Sequence, residues 1–192
     1  MEHEVVLGIS ARHMHLNRKD MDALFGEGSE LHAKSPLKQP GQYASQEQLI
    51  MVTAKGETKL RVLGPIRSYT QIELSLTDAR KAGVTAPIRK SGDLEGTPGC
   101  ILKTLDGSKQ IEISKGIIIA GRHVHLCPAT AAKLGLKEND HVDLVTTGER
   151  ACTLHNVLVR SSVKDADEVH LDTDEGNAIN MGNDQMVTIR TL

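Results

Sequence analysis

Short runs of alternating apolar and polar residues, with a few continuous apolar runs, extend along most of this chain and predict a mainly β protein. Two runs, 4–9 and 116–120, are apolar enough to form buried strands. The other predicted strands cover residues 31–33, 48–54, 58–63, 71–76, 110–113, 141–145, 151–159, 168–171 and 185–190. Polar turns separate them, a rhythm typical of small β-barrels with helical caps.

Two short helices interrupt the strands at matching places in the chain. Asn17 can cap a helix over residues 18–25, and Pro128 can begin a second helix over residues 129–134. Gly26 and Gly135 follow these helices as stop signals. The sequence therefore predicts, in each half of the chain, a strand, a short helix, a turn and a further strand.

This similarity between the halves comes from a sequence motif, here called the histidine phrase, that occurs twice. Residues 9–16 (ISARHMHL) return as residues 119–126 (IAGRHVHL), at an offset of 110 residues. The Ile, Arg, Leu and both His of the phrase recur, whereas the apolar Met14 becomes Val124. The retained polar residues indicate that the imidazoles, more than the packing, matter in both halves.

The internal duplication favours two lobes. We predict two small β-barrel domains, each capped by short helices, with the first lobe at residues 1–90 and the second at residues 111–192. Residues 91–110 lie within an irregular stretch rich in Gly and Pro, and we interpret them as the connecting segment. Exchange of a strand between the lobes stays open.

Strand geometry gives the repeated phrase its chemistry. Side chains alternate between the faces of a strand, so His13 and His15 point the same way, as do His123 and His125. Each pair offers two nitrogen ligands, and zinc accepts imidazole in a tetrahedral shell. A single pair of this kind is more often solvated or hydrogen-bonded, but its repetition favours a metal site.

Each histidine pair needs a third ligand, and the same alternation supplies a candidate downstream of it. In the sequence QIELS, Glu73 shares a polar face with Gln71 and Ser75. In the sequence EVHLD, the alternation presents His170. The sequence thus predicts one site with a carboxylate as third ligand and another with three imidazoles.

Three residues beside the histidines have other roles in this interpretation. Arg12 and Arg122 alternate with the histidines and face away from a metal, so we interpret them as second-shell or inter-lobe structural residues. Cys127 follows His125, but Pro128 interrupts the strand there, and we interpret the cysteine as a small buried thiol.

Arg67 is a candidate for anion binding, because it follows a Gly-Pro turn at 64–65 and precedes Glu73. A guanidinium beside a carboxylate ligand can bind an oxyanion through two parallel hydrogen bonds. An ordinary surface arginine after a turn is the alternative.

Composition excludes several classes of partner. The net charge is -2 and no long run of Lys or Arg occurs, so we expect neither nucleic acid nor a membrane surface as partner. The aromatic residues Phe25, Tyr43 and Tyr69 leave almost no platform for stacked bases.

Three cysteines without a CxxC pair argue against a disulfide framework. Because no apolar run could cross a bilayer and no signal-peptide pattern opens the chain, we expect a cytoplasmic protein.

Four phrases in this order and spacing, SARHMHL, LGPIRSYTQIELS, GRHVHL and DEVHLDTDEGNA, resemble the PduL-type phosphotransacylases, also called phosphate propanoyltransferases. The resemblance extends from Val5 to Leu192. It implies a pair of β-barrel domains with a two-zinc site between them. It also implies an enzyme that interconverts acyl-CoA plus phosphate and acyl phosphate plus CoA.

Matching the family motifs residue by residue implies a set of site residues. The implied ligands of one zinc are His13, His15 and Glu73, and those of the other zinc are His123, His125 and His170. Arg67 matches the phosphate-binding arginine of the family. The implied contacts to CoA are Lys34, Arg61, Leu63 and Asn177.

We expect direct acyl transfer, in which zinc lowers the pKa of the CoA thiol and Arg67 holds phosphate in line with the thioester carbonyl. A zinc-dependent acyl-CoA thioesterase and a non-enzymatic ligand-binding barrel are the alternatives. The sequence does not distinguish propanoyl from acetyl groups, and it leaves open whether the chain forms a homo-oligomer.

The resemblance also bears on localisation. Relatives destined for bacterial microcompartments usually carry an amphipathic N-terminal extension that docks to the shell. In this chain the first histidine phrase begins within nine residues of Met1. We therefore expect either a cytosolic enzyme or a shell-associated one whose extension is missing from this sequence.

Overall fold

A computed structural model describes residues 1–162 and 165–192, and within them strands dominate, as the sequence predicts. The described strands are β1 (Glu2–Ser10), β2 (His13–His15), β3 (Ala33–Pro36), β4 (Tyr43–Thr53), β5 (Gly56–Gly64), β6 (Gln71–Leu74), β7 (Ile88–Arg89), β8 (Cys100–Thr104), β9 (Gln110–Ile113), β10 (Ile117–Ala120), β11 (His123–Leu126), β12 (His141–Val145), β13 (Thr153–Ser161), β14 (Glu168–Asp172) and β15 (Met186–Thr191). The described helices are α1 (Arg18–Phe25), α2 (Leu76–Ala82), α3 (Pro128–Leu134) and α4 (Thr173–Ile179).

The chain divides into two compact units whose boundaries differ from the predicted ones at 90 and 111. The barrel unit consists of Met1–Ala11, Lys38–Pro40 and Gly121–Leu192, and the sheet unit consists of Arg12–Leu37 and Gly41–Ala120. The predicted connection at 91–110 lies within the sheet unit, because β8 and the start of β9 pair there with β4 and with each other.

In the barrel unit, six strands close into a barrel in the order β1, β14, β11, β13, β12 and β15. Strand β1 runs parallel to β14 and antiparallel to β15, which is why the N-terminal segment belongs to this unit. The barrel interior is aliphatic, as expected for a chain with so few aromatic residues; its fully buried members include Leu7, Val124, Leu144, Val157 and Val169.

In the sheet unit, the strands form a nine-stranded sheet rather than a closed barrel. Its order is β7, β10, β6, β2, β5, β4, β8 and β9, and β3 pairs with β4 off this path. The core of this unit combines Met, Leu and Ile side chains from the sheet and from α1; it includes Met14, Met21, Leu49, Leu60, Ile72 and Leu102.

The strand that precedes each histidine pair lies in the unit that does not contain that pair. Strand β1 leads into the first phrase but pairs with β14 in the barrel unit, and β10 leads into the second phrase but pairs with β6 in the sheet unit. The pairings also match in register, since Gly8 lies opposite His170 and Ile118 lies opposite Glu73. The two halves thus exchange one strand reciprocally.

The predicted helices occur where their caps predict them. Asn17 caps α1 by accepting a hydrogen bond from the backbone N–H of Asp20 at 2.8 Å, and glycines end α1 and α3. The sequence analysis missed α2 and α4. Ser75 caps α2, so the predicted strand 71–76 stops at Leu74, and Asp172 caps α4.

Helix α3 begins without a capping side chain of its own, because its N-cap residue is Cys127. The Asp167 carboxylate takes that role by accepting hydrogen bonds from the Cys127 backbone N–H at 2.7 Å and from the Thr130 hydroxyl at 2.6 Å. Burial would raise the pKa of Asp167, but these hydrogen bonds, with that of Thr130 foremost, lower it below its usual value.

Replacing Asp167 should therefore destabilise the barrel unit in a pH-dependent way. Asp167→Asn leaves one acceptor oxygen where there were two and removes the charge, which should cost roughly 1–3 kcal/mol of unfolding free energy at neutral pH. Because the folded pKa is lowered, the wild-type advantage exists above the unfolded pKa of about 3.9 and is lost as the pH falls through the folded value. Urea unfolding of the wild type and the variant at neutral pH and at acidic pH measures this difference in the free energy of unfolding.

The exposed Glu149→Gln change in the same unit is the matched control for loss of one carboxylate. It should leave the unfolding free energy nearly unchanged. If Asp167→Asn were less stable than the wild type by the same amount at neutral pH and at acidic pH, the capping role would be contradicted.

Candidate functional site

The first group of candidate ligands, here called the carboxylate cluster, consists of His13, His15 and Glu73 in the sheet unit. Strands β2 and β6 pair antiparallel with His13 opposite Glu73. The Nε2 atoms of His13 and His15 lie 3.6 Å and 3.9 Å from the two Glu73 carboxylate oxygens. All three side chains are buried.

The second group, the imidazole cluster, consists of His123, His125 and His170 in the barrel unit. Strands β11 and β14 pair antiparallel with His123 opposite His170, the same arrangement as in the first cluster. The three ring centroids lie 5.0, 5.0 and 5.1 Å apart. The structure therefore groups each predicted histidine pair with its predicted third residue.

Both clusters have dimensions that fit a tetrahedral metal ion. Their ligand atoms lie within 4.8 Å of one another. Bonds of about 2.0 to 2.1 Å in a tetrahedral shell separate ligand atoms by about 3.3 Å and imidazole ring centres by about 5 Å. The centroid distances in the imidazole cluster and the 5.2 Å between His13 and His15 agree with this geometry.

The protonation states of His15, His123, His125 and Glu73 also suit metal binding. Burial, followed by the nearby imidazoles, lowers the pKa of His15 and of His123 to about 3; burial, His170 and Arg160 lower that of His125 to about 3. Burial would raise the pKa of Glu73, but His13, with His15 and Arg67, lowers it below its usual range. At neutral pH these ligands are unprotonated, as metal coordination requires.

Arg67 is connected to the carboxylate cluster by hydrogen bonds. Its Nη1 donates to the Ser91 hydroxyl at 3.0 Å, and this hydroxyl lies 3.4 Å from Glu73 Oε1, to which it donates. Gln71 Nε2 donates to the same carboxylate oxygen at 2.6 Å and to Ser91 at 2.8 Å. The half-buried guanidinium also lies 6.0 Å from the Tyr69 ring centre. Arg67 is thus an oriented cation and not an ordinary surface arginine.

Sequence reasoning found only part of this network. The alternation placed Gln71 beside Glu73, but it also placed Ser75 there, and Ser75 instead caps α2. Ser91 lies in the predicted connecting segment, where no motif marks it. Its contact with Arg67 depends on pairing that joins distant parts of the sheet unit, so no local signal could have identified it.

The repeated arginines have matching structural roles. Arg12 pairs with Asp78 in α2 at 3.2 Å, and Arg122 pairs with Glu175 in α4 at 2.7 Å. Each arginine therefore attaches its phrase to the helix that follows the third ligand within its own unit. Cys127 is half-buried, with its sulfur 3.3 Å from the Thr130 hydroxyl oxygen.

The residues predicted to contact CoA are distributed over both units. Lys34 and Arg61 line one open cleft of the sheet unit, together with Ala33, Gln46 and Gln48. Leu63 lies two residues beyond Arg61 on β5. Asn177 is an exposed residue of α4 in the barrel unit. The cleft presents two cationic side chains, one exposed and one half-buried.

Comparison with known proteins places this geometry in a family. The family model for phosphate propanoyltransferase matches residues 6–182. The chain belongs to the phosphate propanoyltransferase family. It is accordingly an enzyme, a phosphotransacylase, which is what the resemblance in the sequence implied.

Individual family members match over almost the whole chain. The phosphate propanoyltransferase of Rhodopseudomonas palustris (strain BisB18) is 46% identical over 187 residues, covering 97% of this chain and 82% of the relative. That of Rhodobacter capsulatus is 44% identical, covering 98% and 87%, and that of Thermotoga maritima is 46% identical, covering 96% and 88%.

Among the described residues, no helix of this family member combines the length and the apolar character needed to cross a membrane.

Proposed function

We propose that this phosphotransacylase is zinc-dependent and interconverts a short-chain acyl-CoA, propanoyl-CoA or acetyl-CoA, plus phosphate with acyl phosphate plus CoA. The observation that carries the proposal is the link from Arg67 through Ser91 to Glu73. It holds the Arg67 guanidinium, our proposed phosphate-binding group, beside a cluster whose donor set suits a catalytic zinc ion. We assign one ion to the carboxylate cluster and one to the imidazole cluster.

The two clusters have donor sets that zinc prefers, namely imidazole nitrogen and carboxylate oxygen. When bound, zinc would supply Lewis-acid chemistry: it lowers the pKa of a thiol and stabilises negative charge on oxygen. The carboxylate cluster carries one negative ligand and the imidazole cluster carries none. Because the two ligand sets differ in charge, we expect the two ions to have different roles.

Arg67 supplies orientation in the proposed reaction. Its guanidinium can bind two phosphate oxygens in parallel, which leaves a third oxygen free to attack. Ser91 and the Tyr69 ring limit the directions that the guanidinium can take. Holding phosphate in this way converts an encounter of two substrates into a positioned reaction.

The proposed transfer is direct and balances without a covalent acyl-enzyme. A phosphate oxygen forms the new C–O bond at the thioester carbonyl carbon, the C–S bond breaks, and the proton of hydrogen phosphate is transferred to the departing CoA sulfur. The reverse reaction begins with CoA thiolate attack on the acyl phosphate.

The cleft lined by Lys34 and Arg61 is our proposed contact for the CoA nucleotide. The two cations suit the phosphate groups of CoA. Arg61 already donates to the Ser45 carbonyl oxygen at 2.9 Å, which holds its side chain at the cleft. Leu63, further along the same strand, is proposed to contact the pantetheine arm, and Asn177 is proposed as a contact from α4.

Thiol release from acyl-CoA tests the proposed reaction. Purified protein mixed with propanoyl-CoA or acetyl-CoA should release free thiol only when phosphate is present, because phosphate is the acceptor. Treatment with a chelator should abolish release, and added zinc should restore it. A colorimetric thiol assay across an acyl-chain series would measure both the acceptor requirement and the substrate preference.

Release that proceeds equally without phosphate would identify a thioesterase and overturn the transferase proposal. Full activity after complete removal of metal would overturn the zinc requirement alone.

The role of Arg67 can be tested separately. Arg67→Ala should raise the KM for phosphate by roughly 10- to 100-fold, since charged hydrogen bonds contribute about 1.5–3 kcal/mol, and should leave the KM for acyl-CoA nearly unchanged. Steady-state kinetics together with zinc content measures both effects. The exposed Arg80→Ala in the same unit is the control. Loss of zinc with no selective change in phosphate KM would mean that Arg67 is only structural.

A further inference from the structure

Glu168 is a buried carboxylate beside the imidazole cluster that none of the roles above uses. It lies on β14, two residues before His170, and is 6% exposed. Its Oε2 atom is 2.9 Å from His170 Nε2. A buried carboxylate requires compensating partners, so its position beside a candidate ligand needs a physical reason.

The backbone around Glu168 is built to accommodate it. Gly8 lies opposite His170 on the neighbouring strand β1. A Cβ atom at this position would sit 2.6 Å from Glu168 Oε1 and 3.0 Å from His170 Cδ2. Any other residue there would displace the carboxylate or the imidazole. The absence of a side chain at Gly8 thus leaves room for the contact between Glu168 and His170.

A second partner holds the carboxylate from the other side. Gln39 is 3% exposed, and its Nε2 donates to Glu168 Oε2 at 2.8 Å. The orientation of this amide is fixed by the backbone of Ala166, whose N–H donates to Gln39 Oε1 at 3.3 Å and whose carbonyl accepts from Gln39 Nε2 at 3.1 Å. Gln39 therefore presents its donor face to the carboxylate.

Comparison of the two clusters shows a complementary choice of residues. In the carboxylate cluster, the residue two positions before the third ligand is Gln71, and its amide donates to Glu73 at 2.6 Å. In the imidazole cluster the corresponding position holds Glu168. A carboxylate ligand needs a hydrogen-bond donor as support, whereas an imidazole ligand needs an acceptor for its remaining N–H. Each position carries the group that its neighbour requires.

We infer that Glu168 is a positioning residue, which keeps the proton of His170 on Nε2 and so leaves Nδ1 as the metal-binding nitrogen. An imidazole that donates from Nε2 to a carboxylate cannot use the same atom as a ligand. His123 has the opposite arrangement, since its Nδ1 lies 2.9 Å from the Gly121 carbonyl oxygen, which leaves Nε2 as the metal-binding nitrogen. The imidazole cluster thus combines an Nδ1 ligand from His170 with an Nε2 ligand from His123.

This inference rests on the proposed function in so far as it assigns a metal to the imidazole cluster. Supporting groups that orient histidine ligands typically contribute 10- to 100-fold to metal affinity. Metal binding can be measured without acyl-CoA or phosphate, so the role of Glu168 and the transferase reaction can fail independently.

The direct test is the tautomer of His170 and the atom that it offers to the metal. Nitrogen-15 NMR of the full chain should show His170 protonated at Nε2, both free of metal and after loading with cadmium-113. The scalar coupling between cadmium and His170 should involve Nδ1. A proton on Nδ1, or coupling through Nε2, would overturn the inference whether or not the enzyme releases thiol.

Variants give a second and independent measurement. Glu168→Gln should lower the zinc affinity of the imidazole cluster by roughly 10- to 100-fold and leave that of the carboxylate cluster unchanged. Gln39→Leu retains the carboxylate and should produce a smaller loss of the same kind, which keeps the test available if the first variant folds poorly. The exposed Glu149→Gln serves as control. Unchanged zinc affinity in folded Glu168→Gln would contradict the positioning role.

Discussion

Backbone hydrogen bonding between β2 and β6, and between β11 and β14, determines which side chains can meet at each candidate metal site. In the first pair His13 lies opposite Glu73, and in the second His123 lies opposite His170. A shift by one residue would turn every ligand to the other face of its strand. The buried apolar residues that alternate with the ligands, such as Met14 and Val124, oppose that shift because it would move them out of the apolar cores and put imidazoles in their place. The strand register that buries the apolar residues is therefore also the register that groups the candidate ligands.

This constraint occurs in both halves of the chain, as the repeated phrase predicts, and the halves differ in their candidate ligands. The two halves share strand pairings, an arginine attached to the following helix, and a supporting side chain two residues before the third ligand. They differ in the third ligand itself, a carboxylate in one cluster and an imidazole in the other, and the supporting residue differs to match. Arg67 adds a cation to the carboxylate cluster alone. Similar scaffolds with different donor sets suit the proposed reaction, whose two substrates are a thioester and a phosphate.

Local sequence patterns predicted many of the elements. Alternation identified most strands, Asn17 and Pro128 marked the two helices that follow the phrases, and period-two geometry selected Glu73 and His170. Helices α2 and α4 were missed although their caps are local, because the residues before them predict strands. The other missed features depend on distant pairing. Strand β8 lies in a stretch whose Gly and Pro content resembles a linker, and Ser91 meets Arg67 only because the sheet brings them together. The pairing of β1 with β14 depends on backbone hydrogen bonds across most of the chain, which single-residue patterns do not encode.

The binding of one zinc ion by each cluster is the central proposal, and the number of bound ions tests it most directly. Elemental analysis should find about two zinc ions per chain in the wild type, as two sets of three protein ligands predict. The double variant His13→Ala/His15→Ala and the double variant His123→Ala/His125→Ala should each retain about one ion, because each removes two ligands from a single cluster. A wild-type protein that binds no zinc, or paired variants that keep the full wild-type content, would contradict the account.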